Sequence, residues 1–307
     1  LFGGSAGREG AALQIGGSLG CYIGRAFRLD DKDMRLATLC GMSAVFAALF
    51  GTPLTATLFA LEVISVGVIY YSALVPCIVA SLFALEMANI FGIAPTHFDV
   101  VIEPISELML LKVSALAIVC SLMSTVFCLS MHKTEHLFAK LIKNPYLRIA
   151  AGGALVVLIT AILGTGDYNG AGMNIIKRAI EEGQAKPDAF FWKLILTAIT
   201  IGCGFKGGEV VPTFFIGATL GCVLGSLLGI PTGFAAALGL ICVFCGAVNC
   251  PVASIVLSIE LFGSTDLVYF ALACGIAYML SGYFGLYSSQ KIMYSKLKAE
   301  FINIHAK

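Results

Sequence analysis

Charge is what this sequence has least of. Lys, Arg, Asp and Glu make up 12% of its 307 residues, against roughly 25% in an ordinary soluble domain. A chain so poor in charge is not a typical soluble protein. Neither sign dominates, the formal net charge being +1, and a nucleic-acid partner would need a concentrated basic face. None is expected. Histidine occurs four times: His97, His132, His136 and His305 sit in polar loops or tails, with His132 and His136 reading as a solvated helix end. No Ser/His/Asp nucleophile is visible in the apolar segments, and neither a metal cluster nor a cofactor motif stands up to its context. The chain also opens without Met or a basic leader, at Leu1, so a missing N-terminal segment is expected to complete its function.

Apolar residues take the place of charge. They form 59% of the chain, in runs at about 10–27, 36–50, 53–71, 72–95, 108–131, 147–165, 190–205, 210–229, 233–248, 251–262 and 267–287. Lipid is the solvent this pattern fits, so an all-α polytopic membrane protein is expected. A crossing helix needs about 20 apolar residues; runs 36–50 and 251–262 fall short and are broken by Gly51-Thr52-Pro53 and Asn249-Cys250-Pro251. Tilted, broken helices are therefore expected, with their loose backbone groups buried in protein or lining a polar cavity. The 11 cysteines lie mostly inside apolar runs and read as small buried hydrophobes, not a disulfide framework. Basic clusters at Arg25/Arg28/Lys32/Arg35, Lys133/Lys140/Lys143/Arg148 and Lys291/Lys296/Lys298/Lys307 contrast with 91–107, which has neither Lys nor Arg. The positive-inside bias predicts a multi-pass cell-membrane protein with a cytoplasmic C-terminus. The polar stretch 166–193 reads as a surface loop with a short amphipathic helix.

The two halves share a spaced pattern. Gly41-x3-Val45-Phe46-x6-Pro53-x8-Glu62 returns as Gly239-x3-Val243-Phe244-x6-Pro251-x8-Glu260, and Ile15-Gly16-x2-Leu19-Gly20 as Ile216-Gly217-x2-Leu220-Gly221. An internal duplication follows, with residues 1–165 as a first repeat lacking its N-terminal part and 166–307 as a second repeat plus a cytoplasmic tail. Two-repeat membrane proteins commonly hold their substrate at the repeat interface, with half-helix N-termini aimed at anions. Gly-rich helix starts supply free N–H groups and a positive dipole end, so a small anion is the expected substrate.

Gly7-Arg8-Glu9-Gly10 places a carboxylate beside such amides. Glu9 reads as a gate that fills the anion position when ionised and leaves it when protonated; the plainer alternative is an exposed acid stabilised by a helix start. Glu62 and Glu260 read first as buried structural acids bonded at helix ends, since an intramembrane carboxylate costs roughly 2.5–3.5 kcal/mol and must find partners.

These residues resemble the CLC family of chloride channels and anion/proton exchangers. The likeness begins at Gly7-Arg8-Glu9-Gly10 with Leu13-Gln14-Ile15-Gly16-Gly17-x2-Gly20 and runs through Gly51-Thr52-Pro53-Leu54, Gly208-Glu209-Val210-Val211-Pro212 and Tyr287. It implies two inverted repeats, one ion path per subunit and a homodimer. It also implies Glu9 as the gate, Gly7, Arg8, Gly10 and the amides of Gly208, Glu209, Val210 and Val211 as anion-binding, and Tyr287 as the hydroxyl contacting a central anion. Ala11 replaces the family's usual Pro, Val210 its usual aromatic, and Val63 its internal proton-transfer glutamate; the loop with the central serine would precede Leu1. The Gly-Glu-Val-x-Pro form after Phe205-Lys206-Gly207 is most similar to the branch that exchanges fluoride for protons. Glu9, Glu209 and Glu62 are the candidates for a proton path, although Glu209 could instead pair with Lys206.

Two decoys are set aside. Gly202-Cys203-Gly204-Phe205-Lys206-Gly207 matches a dinucleotide fingerprint, but a helix-like run precedes it and no acid follows at ribose spacing. Cys242-x-x-Cys245 lies in an apolar helix with no second pair at zinc spacing. Expected function is therefore halide transport with halides, protons and the bilayer as partners. Fluoride/proton exchange is favoured, with a passive chloride channel or chloride/proton antiporter as the alternative. An intramembrane enzyme or non-transporting fragment is the remote rival.

Overall fold

The computed structural model describes residues 3–101, 104–264 and 267–307. These form twelve α-helices: α1 (Glu9–Ala26), α2 (Asp31–Phe50), α3 (Pro53–Glu62), α4 (Leu74–Ile90), α5 (Glu107–Leu141), α6 (Pro145–Leu163), α7 (Met173–Lys177), α8 (Ala189–Gly202), α9 (Val210–Leu228), α10 (Thr232–Val248), α11 (Pro251–Phe262) and α12 (Leu267–Leu280). Five segments are long and apolar enough to cross a bilayer: α2, Tyr71–Ile90, α5, α6 and α9. The protein is a mainly helical, multi-pass membrane protein. Burial sorts its helices. Only 11% of the apolar window of α6 is covered by other protein, against 78% for α9, so α6 turns its flank to lipid while α9 and α10 form the interior.

The duplicated sequence folds twice in the same way. In the first repeat α1 packs on α2 so tightly that a Cβ on Gly16 would strike the Gly41 carbonyl, and one on Gly20 the Ala37 carbonyl. In the second, α9 packs on α10 with Gly217 against Gly239 and Gly221 against Ala235. Small residues bring helix backbones together where lipid offers no hydrophobic drive for association. Each of α2 and α10 then ends on a left-handed residue, Gly51 (φ 75°) and Asn249 (φ 60°). The next residue is extended in both, Thr52 at φ −120°, ψ 76° and Cys250 at φ −119°, ψ 76°, and a Pro opens the following helix. Proline suits that position because its missing N–H is one of the donors a helix start leaves free.

The two short helices so formed, α3 and α11, cap each other. Glu62, the last residue of α3, accepts from the Val252 and Ala253 amides at the start of α11, at 3.3 and 2.9 Å. Glu260 of α11 accepts from the Leu54 and Thr55 amides of α3, both at 2.9 Å. The expected helix-end role of these acids is thus realised across the repeats. Phenylalanines knit the same region, Phe59 stacking on Phe46 and on Phe244 with centroids 5.0 and 6.1 Å apart.

Three features depart from the sequence reading. The stretch 166–193 holds α7 and a following π-turn, as a loop with a short helix should, but its last residues already belong to α8, and Lys193 is fully buried. His132 lies within α5, half-buried, and its Nε2 bonds the Gly285 carbonyl at 2.8 Å. The tail is partly β: β1 (Ser65–Val66) pairs in parallel with β2 (Lys291–Tyr294), which pairs antiparallel with β3 (Phe301–His305). A two-residue strand has no alternation to read from sequence. The fold therefore has a loop end, where Lys112 Nζ donates to the Gly229 carbonyl and Cys222 Sγ to that of Gly183, and a tail end closed by the small sheet.

Candidate functional site

Two glycine-rich straps meet between the repeats. The Gly7 amide donates to the Gly208 carbonyl at 2.8 Å and the Gly208 amide to that of Gly7 at 2.7 Å. This bridge needs bare backbone. A Cβ on Gly208 would lie 2.7 Å from the Glu9 nitrogen and 2.8 Å from that of Gly10, and one on Gly10 only 3.2 Å from the Gly208 Cα. As a result α1 and α9 start side by side, and neither start carries a side-chain cap: Arg8 and Glu209, the flanking residues, make no such bond. Free amides at paired helix starts form an anion-binding surface.

Glu9 is folded into that surface. The residue is 4% exposed, and its Oε2 is buried with no hydrogen-bond partner among the described residues. The same oxygen lies 2.7 Å from the place a Gly208 Cβ would take and against the corresponding position at Gly7. The contrast with Glu62 and Glu260 is instructive, since each of those carboxylates holds two amides. A buried oxygen without a donor has lost hydration and gained nothing, which fits a group that comes and goes better than one that builds the fold.

The other expected residues separate into two sets. Gly7, Gly10 and Gly208 form the bridge, and Val210 and Val211 are buried at the start of α9. Arg8 is exposed, so only its backbone belongs to the site. Glu209 is half-buried and forms no ion pair with Lys206 among the described residues; Lys206 is exposed. Tyr287 is half-buried and packs against the main core. Glu62 is held at the α11 start, and the Val63 carbonyl accepts from Gln290 Nε2 at 2.8 Å. Of the decoys, 202–207 follows a helix, not a strand, and all eleven cysteines are free, with Cys242 and Cys245 buried in α10.

Sequence reasoning missed Lys193. It is the first of a stripe on α8, with Thr197 and Thr200 at helical spacing on the same face. Its Nζ donates to the carbonyls of Tyr168 (3.1 Å) and Gly170 (2.6 Å) and lies 5.0 Å from the Phe215 ring centroid. Ser5 completes the lacing: its amide donates to Thr200 Oγ1, and its hydroxyl donates to the Tyr168 carbonyl and shares a hydrogen bond with Thr197 Oγ1. The strap that leads into Glu9 is thus tied to α8. The legible signal was a lone Lys in FFWKLILTAIT, four and seven residues before threonines.

The chain resembles known proteins along nearly its whole length. The Voltage gated chloride channel family matches residues 1–282. A chloride/fluoride channel protein of Pseudomonas syringae pv. tomato is 39% identical over 303 residues, covering 96% of this chain and 67% of the relative. The voltage-gated ClC-type chloride channel ClcB of Escherichia coli is 25% identical over 298 residues, covering 91% and 69%. Among solved structures, a CLC-type fluoride/proton antiporter superposes with a TM-score of 0.90 at 34% identity, covering 94% of this chain and 73% of the other. A cyanobacterial chloride/proton antiporter shares the fold, with a TM-score of 0.71 at 20% identity and coverage of 91% and 69%. Matched by the family model over residues 1–282, the chain belongs to the CLC family of chloride channels and transporters.

Proposed function

We propose that this protein moves a small halide across the cell membrane, fluoride in exchange for protons, along a path gated by Glu9. The observation that carries the reading is the two-way bridge between Gly7 and Gly208, with the Glu9 carboxyl wedged against both glycines. Ionised, that carboxylate occupies the position an anion would take. Protonated, it loses its attraction for the helix starts and vacates them, and the amides around Gly7–Gly10 and Gly208–Val211 accept the halide instead. Tyr287 supplies a neutral O–H donor further along. Each excursion of Glu9 carries a proton, which links the two ions.

The proton needs a second carboxyl toward the tail end. Glu62 is engaged in capping α11 and Val63 has no acid, so Glu209 is the better candidate. The fluoride preference is supported by the Gly-Glu-Val-x-Pro loop and by the likeness to a chloride/fluoride channel protein and to a CLC-type fluoride/proton antiporter. Chloride conduction or chloride/proton exchange is the competing reading, favoured by the apolar residue at Val63. The same proposal has the chain act as a transporter, not an enzyme, pair as a homodimer, divide into repeats near residue 165 and keep its C-terminal tail in the cytoplasm.

The test is simultaneous recording of fluoride, chloride and proton movement in liposomes holding the full-length protein, with Glu9→Gln as the comparison. Fluoride efflux coupled to proton uptake, lost in Glu9→Gln, is the expected result. Passive chloride efflux without protons would replace exchange with a channel, and unchanged pH dependence in Glu9→Gln would remove the gate assignment.

A further inference from the structure

Behind Tyr287 lies a buried polar cluster that no transport step has yet used. Asn249, at the left-handed end of α10, donates through Nδ2 to the Gln290 Oε1 (2.8 Å) and to the Phe284 carbonyl (3.0 Å). Gln290, 1% exposed, donates in turn to the carbonyls of Val63 and Val248, both at 2.8 Å. Lys296 closes the cluster. Its Nζ donates to Asn249 Oδ1 and to Ser281 Oγ, the latter at 2.8 Å, and sits 4.7 Å from the Tyr278 ring centroid.

Each amide group of Asn249 and Gln290 is satisfied, and a fully satisfied buried network fixes one arrangement where a partly satisfied one would not. What it fixes is the segment carrying Tyr287. The backbone N–H of Gln290 donates to the Tyr287 carbonyl at 2.9 Å, that of Leu286 to the Ala247 carbonyl at 3.0 Å, and that of Ala306, just beyond β3, to the Gln290 carbonyl at 3.0 Å. Position 285 is pinned from the same cluster, because a Cβ on Gly285 would lie 2.8 Å from Asn249 Nδ2 and 3.0 Å from Gln290 Oε1. The end of the first repeat's α3, the end of α10 and the C-terminal hairpin therefore all converge on the segment 284–290 that carries Tyr287.

We propose that Asn249, Gln290 and Lys296 are positioning residues for Tyr287, and that the C-terminal hairpin, through Lys296, sets the anion preference of the pathway. This rests on the reading of Tyr287 as an anion contact. A hydroxyl displaced by a fraction of a hydrogen-bond length discriminates a small halide from a larger one less well, so slackening the cluster should move selectivity without touching the anion.

The test measures initial fluoride and chloride efflux rates from liposomes for the full-length protein, Tyr287→Phe, Lys296→Met, Lys296→Arg and the double variant. The expected result is a change of about threefold in the fluoride-to-chloride rate ratio for Lys296→Met, the scale of one lost hydrogen bond. It should run in the direction of Tyr287→Phe, return toward wild type in Lys296→Arg, and add nothing in the double variant. A wild-type ratio in Lys296→Met while Tyr287→Phe shifts it overturns the inference, as does full additivity. A wild-type ratio in Tyr287→Phe removes the anion-contact reading instead. If Lys296→Met does not accumulate as dispersed protein, Ser281→Ala, which removes one partner of the ammonium, takes its place with the same expected direction, and a wild-type ratio there counts equally against the proposal.

Discussion

The two repeats are alike where they hold one another and unlike where they face the ion path. Gly16 on Gly41 matches Gly217 on Gly239, Thr52 and Cys250 share their backbone angles, and Glu62 and Glu260 exchange helix caps. At the bridge the likeness stops: one strap brings Glu9 with an exposed Arg8, the other Glu209 followed by Val210 and Val211. Even the matched left-handed corner has diverged, because Gly51 has no side chain while Asn249 anchors Gln290 and Lys296. Duplication supplied a scaffold that must stay symmetric to pack, and the chemistry lives in the positions packing left free.

That division can be broken at the seams. Gly217→Ala puts a methyl group onto the Gly239 carbonyl and should cost about 3 kcal/mol or more, seen as loss of folded protein by size-exclusion chromatography in detergent; Gly16→Ala should do the same at Gly41. Glu62→Ala and Glu260→Ala each leave two helix-start amides bare and should each lose about 2 kcal/mol in thermal denaturation. Equal losses keep the scaffold symmetric, and a transport defect confined to Glu62→Ala would instead return Glu62 to the proton path. Exchanging the corners sharpens the contrast. Asn249→Gly should cost about 1 kcal/mol through its severed side-chain bonds, whereas Gly51→Asn, although Asn tolerates positive φ, should cost about 1–3 kcal/mol by overpacking, because a Cβ there would strike the Pro95 Cβ and lie 2.6 Å from its Cα.

The smallest effect concerns pH. Burial pushes the Lys296 ammonium down from 10.5 to about 8, so the unfolded chain takes up this proton first as pH falls. Stability should decline as pH drops from 10.5 toward 8 and then level. In Lys296→Met that slope should vanish from melting curves recorded across this range; a slope that persists assigns it to another group.

Much of this was legible in the sequence, and what escaped did so for physical reasons. The duplication showed because Gly, Pro and Glu at fixed spacing are demanded by close helix approach, helix starts and caps. The acids at the ends of α3 and α11 could be read as helix-end groups, but not that each serves the other repeat, since contact across 206 residues leaves no local trace. Lys193 was hidden by its neighbours: Lys186 and Asp188 made the stretch read as surface, and only the helical phase shared with Thr197 and Thr200 gives it away. Asn249 reads only as part of the break Asn249-Cys250-Pro251, because a left-handed corner says nothing about what lies opposite it.

The exchanged caps also bear on how the protein is made. When the first repeat enters the bilayer, the Leu54 and Thr55 amides have no acceptor, and the carboxylate that will satisfy them, Glu260, belongs to a helix made near the end of synthesis. Glu62 waits likewise for Val252 and Ala253. Neither half can finish its own short helix in lipid, where a bare backbone donor finds no water to replace its partner. Maturation is therefore a single late event, and the two halves made as separate chains should survive in the membrane only when they are produced together.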